Sequence, residues 1–96
     1  MMRIGQGYDA HPWANDARPL VIGGVHFPGH PGLDGHSDAD VVAHAVIDAV
    51  LGAAGLGDIG QNFPDDNRKF DRVSSIELLQ QAVQLVQAAG WGIVNA

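Results

Sequence analysis

No cysteine occurs in these 96 residues, so there is no disulfide and no thiolate metal site, and the redox compartment is left open. Basic residues are scarce: five Lys and Arg against eleven Asp and Glu give a net charge of −6. That balance leaves no footprint for nucleic acid. It would also repel an anionic substrate unless cations offset the charge locally. No apolar run approaches the roughly 20 residues of a membrane span. Met1-Met2-Arg3-Ile4-Gly5 carries no signal-peptide h-region, so a cytoplasmic protein without membrane partners is expected. Repeats and low-complexity segments are also absent, and Glu77 is the only glutamate. What remains, 46% hydrophobic and 17% charged, suits one globular domain over residues 1–96 with a modest core.

The pattern along the chain predicts β, β, α, α and the beginning of a further strand. Residues 2–9 are expected to be a strand and residues 10–18, with Pro12, Asn15 and Asp16, a loop. Leu20 to Phe27 is apolar and β-branched between Pro19 and Pro28, and reads as a strand whose Gly23-Gly24 pair marks a bulge or tight bend. A first helix is expected between Ser37 and Gly55. Its apolar stripe is Val41, Val42, Ala45, Val46, Ala49, Val50 and Ala53, its cap Ser37 or Asp38, and its stop Gly55 and Gly57. Ser37 with Asp40 also fits a loose capping box. Residues 58–73 are expected to be a loop. A second helix follows, with Ser74-x-x-Glu77 as its capping box, Ile76, Leu79, Ala82, Val83, Val86 and Ala89 as its buried stripe, and Gly90 as its stop. Trp91 to Ala96 looks like the start of a strand, which suggests a truncated chain. The fold class is α/β (α+β), a mixed sheet with two amphipathic helices on one face and C-terminal strands missing.

Asp9 and His11 are two apart, so on an extended segment both point to one face. His44 lies within the first helix, with Asp40 and Asp48 four residues to either side on one polar line. If the helix lays that line beside Asp9 and His11, one carboxylate and two imidazoles supply three protein ligands to a divalent metal and leave a fourth position open, as catalytic sites do. Zn²⁺ suits the set; Mn²⁺ and Fe²⁺ tolerate it. Asp40 or Asp48 would orient a ligating imidazole. Equally, Asp-x-His is a common tripeptide, and Asp9 can make an Asx turn. His36-Ser37 at a helix N-terminus offers an anion site, or Ser37 simply caps the helix. Asp58, in the Gly-bounded acidic loop Gly57-Asp58-Ile59-Gly60, can accept hydrogen bonds from ribose hydroxyls, or the loop is only solvated. His26 and His30 have no partner pattern.

Five segments then carry a resemblance. They are Arg3-Ile4-Gly5-x-Gly7-Tyr8-Asp9-x-His11, Ile22-Gly23-Gly24-Val25, His36-Ser37-Asp38-x-Asp40-x-x-x-His44, Asp48-Ala49-x-Leu51-Gly52-Ala53 and Gly57-Asp58-Ile59-Gly60-x-x-Phe63-Pro64-Asp65. In order and spacing the chain resembles the 2-C-methyl-D-erythritol 2,4-cyclodiphosphate synthase family of non-mevalonate isoprenoid biosynthesis. The resemblance implies a lyase-type cyclisation. The 2-phosphate of 4-diphosphocytidyl-2-C-methyl-D-erythritol 2-phosphate attacks the β-phosphorus, and CMP leaves. It implies Zn²⁺ on Asp9, His11 and His44, transition-state stabilisation by His36, and Ser37 beside it on the substrate phosphate. Asp58, Ile59 and Gly60 would hold the ribose, and Phe63, Pro64, Asp65, Asp66 and Asn67 would cover the methylerythritol part. Asp66-Asn67 departs from the Thr-Asp often found there. A homotrimer with active sites between subunits is implied as well.

The family's chain continues past the last matched motif, into a Thr-Thr-x-Glu run whose carboxylate serves a second metal, Mg²⁺ or Mn²⁺. That run is absent here, so the 96-residue chain is expected to be weakly active or inactive alone. The alternatives are a non-enzymatic zinc-binding oligomerisation module or remnant, and a generic metal-dependent phosphohydrolase.

Overall fold

Two helices carry the core. The computed structural model describes residues 1–64 and 73–96; the expected loop residues Asp65, Asp66 and Asn67 lie outside them. The elements are β1 (Leu20–Ile22), β2 (Val25–Phe27), α1 (Val41–Ala53), α2 (Ile59–Asn62) and α3 (Ser75–Ala88). Ile47 and Leu51 of α1 meet Leu78, Ala82 and Val86 of α3, and Phe63 closes the cluster. Each buried Ile, Leu, Val or Phe contributes about 1.5–3 kcal/mol. The fold is α+β, but its sheet is a two-stranded antiparallel hairpin rather than the mixed sheet expected.

The helical periods locate both helices correctly, yet their buried faces differ from the expected stripes. On α1 the buried residues are Ala43, His44, Ile47 and Leu51, and on α3 they are Ser75, Leu78, Ala82 and Val86. The reason for α1 is that it is covered on two sides. One side meets α3, and the alanine row Ala45, Ala49 and Ala53 meets the N-terminal segment instead. Caps also differ. Asp40, not Ser37 or Asp38, caps α1, and its carboxylate accepts the Ala43 N–H. Ser74 sits at the cap position of α3 but makes no side-chain cap bond. The capping box with Glu77 does not form there; Asp38 accepts the Ser75 N–H at 3.1 Å instead. Within the expected loop 58–73, Asp58 caps the short helix α2 by accepting from the Gln61 N–H.

Leu20 to Phe27 is two strands, not one. Gly23 and Gly24, at φ 62° and 79°, make a two-residue turn that needs positive φ at both positions. Leu20 pairs with Phe27 and Ile22 with Val25. Asp40 is fully buried and fastens this turn to the start of α1, accepting N–H bonds from Gly23 at 2.8 Å and Gly24 at 2.7 Å. Three N–H donors to one carboxylate offset the cost of burying its charge.

Residues 2–9 keep the alternation expected of a strand but form no ladder among the described residues, nor do residues 91–96. A strand requires paired N–H and C=O groups, and none of the described segments pairs with these. Instead residues 3–9 lie along α1. Arg3 donates to the Ala53 carbonyl at 3.3 Å. A Cβ on Gly5 would stand 1.9 Å from the Ala49 carbonyl oxygen, and one on Gly7 1.8 Å from that of Ala45. The alternate residues Met2, Ile4 and Tyr8 face outward, 83%, 95% and 81% exposed. The Arg3 guanidinium also stacks 4.2 Å over the Trp91 ring, which joins this segment to the exit of α3.

Gly7→Ala is therefore expected to destabilise the chain by about 1–3 kcal/mol. At this size that lowers Tm by roughly 4–8 °C per kcal/mol. Gly52→Ala is the control: its Cβ meets nothing within 4 Å, so the helix gains propensity and Tm holds or rises. Equal thermal unfolding of both variants would contradict this packing.

Candidate metal centre

The period of two that turns Gly5 and Gly7 onto α1 delivers Asp9 and His11 to the same face, over His44. Asp9 Oδ2 lies 3.0 Å from His11 Nε2 and 3.2 Å from His44 Nδ1, and the two ring nitrogens are 3.3 Å apart. A point about 1 Å above such a triangle stands roughly 2.1 Å from each corner, within the 2.0–2.2 Å of metal–nitrogen and metal–oxygen bonds. These three residues could hold a metal ion, and their donor set of two imidazoles and a carboxylate fits a divalent cation. Asp9 and His11 are about a fifth exposed while His44 is nearly buried, so the centre opens to one side.

The rings are held by their outer nitrogens. His11 Nδ1 donates to the Asp34 carbonyl at 2.8 Å, which leaves the Nε2 lone pair facing Asp9. That carbonyl is itself placed by pairing of residues 12–14 with 32–34: Asp34 donates to the Pro12 carbonyl, and Ala14 to that of Gly32. Arg18 braces the same stretch, donating to the Leu33 and Gly35 carbonyls at 2.8 and 2.9 Å. His44 Nε2 meets the Ser75 hydroxyl at 2.8 Å and the Ser37 hydroxyl at 3.2 Å. Neither Asp40 nor Asp48 orients an imidazole, contrary to expectation. Asp40 is committed to the hairpin and the α1 cap, and Asp48 accepts the Ile59 N–H at 2.8 Å.

A cleft of about 330 Å³ adjoins the centre. Beside the three ligands it is lined by Gly35, His36 and Ser37 on one wall, and by Ile59, Gly60, Phe63 and Leu78 on the other. His36 is exposed. Ser37 is buried, and its hydroxyl turns inward to His44 and Ser75. These two residues do not sit at a free helix N-terminus: α1 begins at Val41, and the Asp40 carboxylate already occupies that end and disfavours an anion there. Between Ser37 and the cap Asp40 lies Ala39 at φ 57°, a left-handed turn costing about 1–2 kcal/mol in a non-glycine residue. It lets Ser37 and Asp38 point inward just before the cap. Asp48, through the Ile59 N–H, fixes the start of α2 and with it the Ile59-Gly60 wall. Asp58 is exposed, serves as the α2 cap, and does not line the cleft; nor does Pro64. Sequence reasoning missed the Asp34 carbonyl, Ser75, Asp38 and Leu78 as neighbours of the centre. Only Asp38 carried a signal, as part of the His36–His44 motif.

Fold and donor set together define an α+β protein with a cation centre opening onto a ligand-sized cleft. Residues 2–96 match the YgbB family, and the chain belongs to that family. A relative from Pelodictyon phaeoclathratiforme, named 2-C-methyl-D-erythritol 2,4-cyclodiphosphate synthase, is 58% identical over 94 residues, which cover 98% of this chain and 59% of the relative. The solved bifunctional IspDF from Campylobacter jejuni superposes with a TM-score of 0.89 at 46% identity, over 97% of this chain and 25% of that one. A 2C-methyl-D-erythritol-2,4-cyclodiphosphate synthase solved in a CDP-bound form gives a TM-score of 0.82 at 43% identity, over 92% of this chain and 58% of that one. The chain thus spans about three fifths of the length of the curated relatives it matches.

His11→Ala, His44→Ala and Asp9→Ala should each weaken divalent-cation binding by more than the 10–100-fold typical of changes outside the ligand shell. Chelator competition with elemental analysis measures this. A set of variants that retain the parent's affinity would remove the centre from these residues.

Proposed function

We propose that this protein closes a cyclic diphosphate: it converts 4-diphosphocytidyl-2-C-methyl-D-erythritol 2-phosphate into 2-C-methyl-D-erythritol 2,4-cyclodiphosphate and CMP. The observation that carries the reading is the convergence of Asp9, His11 and His44 on one point at the mouth of the cleft. Kinship to synthases of that name, one of them solved with CDP, supplies the substrate class. In this reading residues 1–96 belong to a single synthase domain, and the cation is Zn²⁺.

The chemistry is displacement at phosphorus, in which positioning and charge neutralisation matter more than covalent help. An oxygen of the 2-phosphate bonds to the β-phosphorus, the bond from that phosphorus to the bridging oxygen breaks, and CMP departs with the bridging oxygen. A divalent cation supplies Lewis-acid polarisation of a phosphoryl oxygen when bound. Asp9, His11 and His44 would hold that charge at the cleft mouth, where a net charge of −6 otherwise opposes a triply phosphorylated substrate. His36 is the catalytic residue that stabilises charge developing on the phosphoryl oxygens, with Ser37 forming the wall beside it. Ile59 and Gly60 present backbone to the ribose; kinship assigns Asp58 to its hydroxyls as well, which its carboxylate, outside the cleft and on the Gln61 N–H, would have to reach from the cap of α2. Phe63 lines the cleft where the methylerythritol portion would sit, and kinship assigns Pro64, Asp65, Asp66 and Asn67 to the same part of the substrate. A second cation, Mg²⁺ or Mn²⁺, accompanies the substrate diphosphate.

A homotrimer in the cytoplasm completes the proposal. Met2, Ile4, Tyr8 and Val94 are exposed apolar side chains that contact with neighbouring subunits would cover. Among the described residues no helix is long and apolar enough to cross a membrane.

Incubating the protein with Zn²⁺, Mg²⁺ and the diphosphocytidyl substrate, and following phosphorus resonances, tests the reaction. CMP and cyclic diphosphate should appear in equal amounts, however slow the turnover of these 96 residues alone. Orthophosphate in their place would mean hydrolysis and overturn the reading. His36→Ala should lower kcat by about 10²-fold, with KM much less changed.

A further inference from the structure

Two polar groups beside the centre, one buried and one half-buried, have no part in the reaction above. Ser75, the first residue of α3, is fully buried, and Asp38 reaches it from the loop before α1. Asp38 touches Ser75 twice. Oδ2 accepts the Ser75 N–H at 3.1 Å, and Oδ1 accepts the Ser75 hydroxyl in a short hydrogen bond. A helix cap needs only the first of these bonds. The second commits the hydroxyl hydrogen and has consequences for His44.

The direction of each hydrogen bond follows from what each group can give. An ionised carboxylate accepts only, so the single Ser75 hydroxyl hydrogen goes to Asp38. Both lone pairs of Ser75 Oγ are then left to accept. Ser37 Oγ takes the Ala39 N–H at 3.1 Å and lies 3.3 Å from Ser75 Oγ and 3.2 Å from His44 Nε2; since the Ser75 hydrogen is committed to Asp38, Ser37 is the donor of any hydrogen bond between the two hydroxyls. The remaining lone pair of Ser75 faces His44 Nε2 at 2.8 Å, so that nitrogen is the donor. In a neutral imidazole one nitrogen carries the hydrogen and the other a lone pair. Nδ1 of His44 therefore turns a lone pair toward Asp9 and His11. The Asp34 carbonyl imposes the matching choice on His11, through Nδ1. Three electron-rich atoms then meet at 3.0–3.3 Å with no hydrogen between them, an arrangement that a cation reconciles.

We propose that Asp38 and Ser75 are positioning residues of the metal centre: through the Ser75 hydroxyl the Asp38 carboxylate selects the ring form of His44 that ligates by Nδ1. This rests on the reading that Asp9, His11 and His44 hold a divalent cation. Ser75→Ala removes the link and Asp38→Asn removes the obligatory acceptor. Each is expected to raise the Kd for Zn²⁺, read by chelator competition, by about 10–100-fold. Ser75→Thr keeps the hydroxyl and should restore most of that loss. Circular dichroism and thermal unfolding report folding separately, and a purely structural role would move Tm while leaving the Kd of the folded chain within about twofold of the parent.

A second measurement needs no substitution. In the parent chain labelled with ¹⁵N and loaded with ¹¹³Cd²⁺, the one-bond metal–nitrogen coupling of His44 identifies its ligating atom. Coupling to Nδ1, with a slowly exchanging Nε2–H, is expected. Coupling to Nε2, or parent-like Zn²⁺ affinity in both Ser75→Ala and Asp38→Asn, overturns the inference while the metal centre stands. A parent chain that binds no cation fails the metal reading and this inference together.

Discussion

The approach of Gly5 and Gly7 to the carbonyl row of α1 is the constraint on which the rest depends. Only hydrogen occupies the space where any other residue would place a Cβ under 2 Å from a carbonyl oxygen. The alanines at 45, 49 and 53 keep the facing side of the helix shallow. Because the segment lies that close, and because its side chains alternate, the next two residues on the same face are Asp9 and His11, and they arrive over His44. Metal geometry is here a result of backbone packing: a displacement of 1 Å at Gly7 is half a ligand bond at Asp9.

Around that contact, polar side chains act as fasteners rather than as scattered surface groups. Asp40 joins the hairpin turn to the start of α1, Asp48 joins α1 to α2, and Asp38 joins the pre-helix loop to α3. Each carboxylate takes backbone N–H groups that would otherwise lack partners at a turn or helix end. An acidic chain can carry so many carboxylates near its core because most of them are neutralised by such donors. The exception is Asp9, whose partners are two imidazoles. It is the one carboxylate of the set that faces a cleft, and in the proposed reaction its charge is balanced by a cation instead.

Much of this was legible in the residue order. Period 3.6 located α1 and α3, although the cap of α1 falls two or three residues later than expected, and the Gly pair marked the bend between Leu20 and Phe27. The Asp9-x-His11 spacing and the placement of His44 within a helix indicated the donor set. What was not legible has a common cause. The buried face of α1 was misassigned because two partners cover it, so hydrophobicity along the helix does not single out one stripe. The capping box at Ser37 yielded to its other member, Asp40, and the one at Ser74 to Asp38, a carboxylate from a distant stretch of the chain. The Asp34 carbonyl and Ser75 join the centre only through tertiary proximity, and a carbonyl has no identity in a sequence.

Asp38 has one further consequence. Its two oxygens are shared between the first residue of α3 and, through that residue, the imidazole of His44. Seating the helix and seating the ion are therefore heterotropic effectors of each other, and by reciprocity the coupling is the same in both directions. An ion that prefers the ordered ring also favours the docked helix, and loosening of that helix hastens the ion's departure. Under the proposed metal binding, the stability of this chain becomes a property of chain and ion together, set partly by how much free metal its surroundings supply.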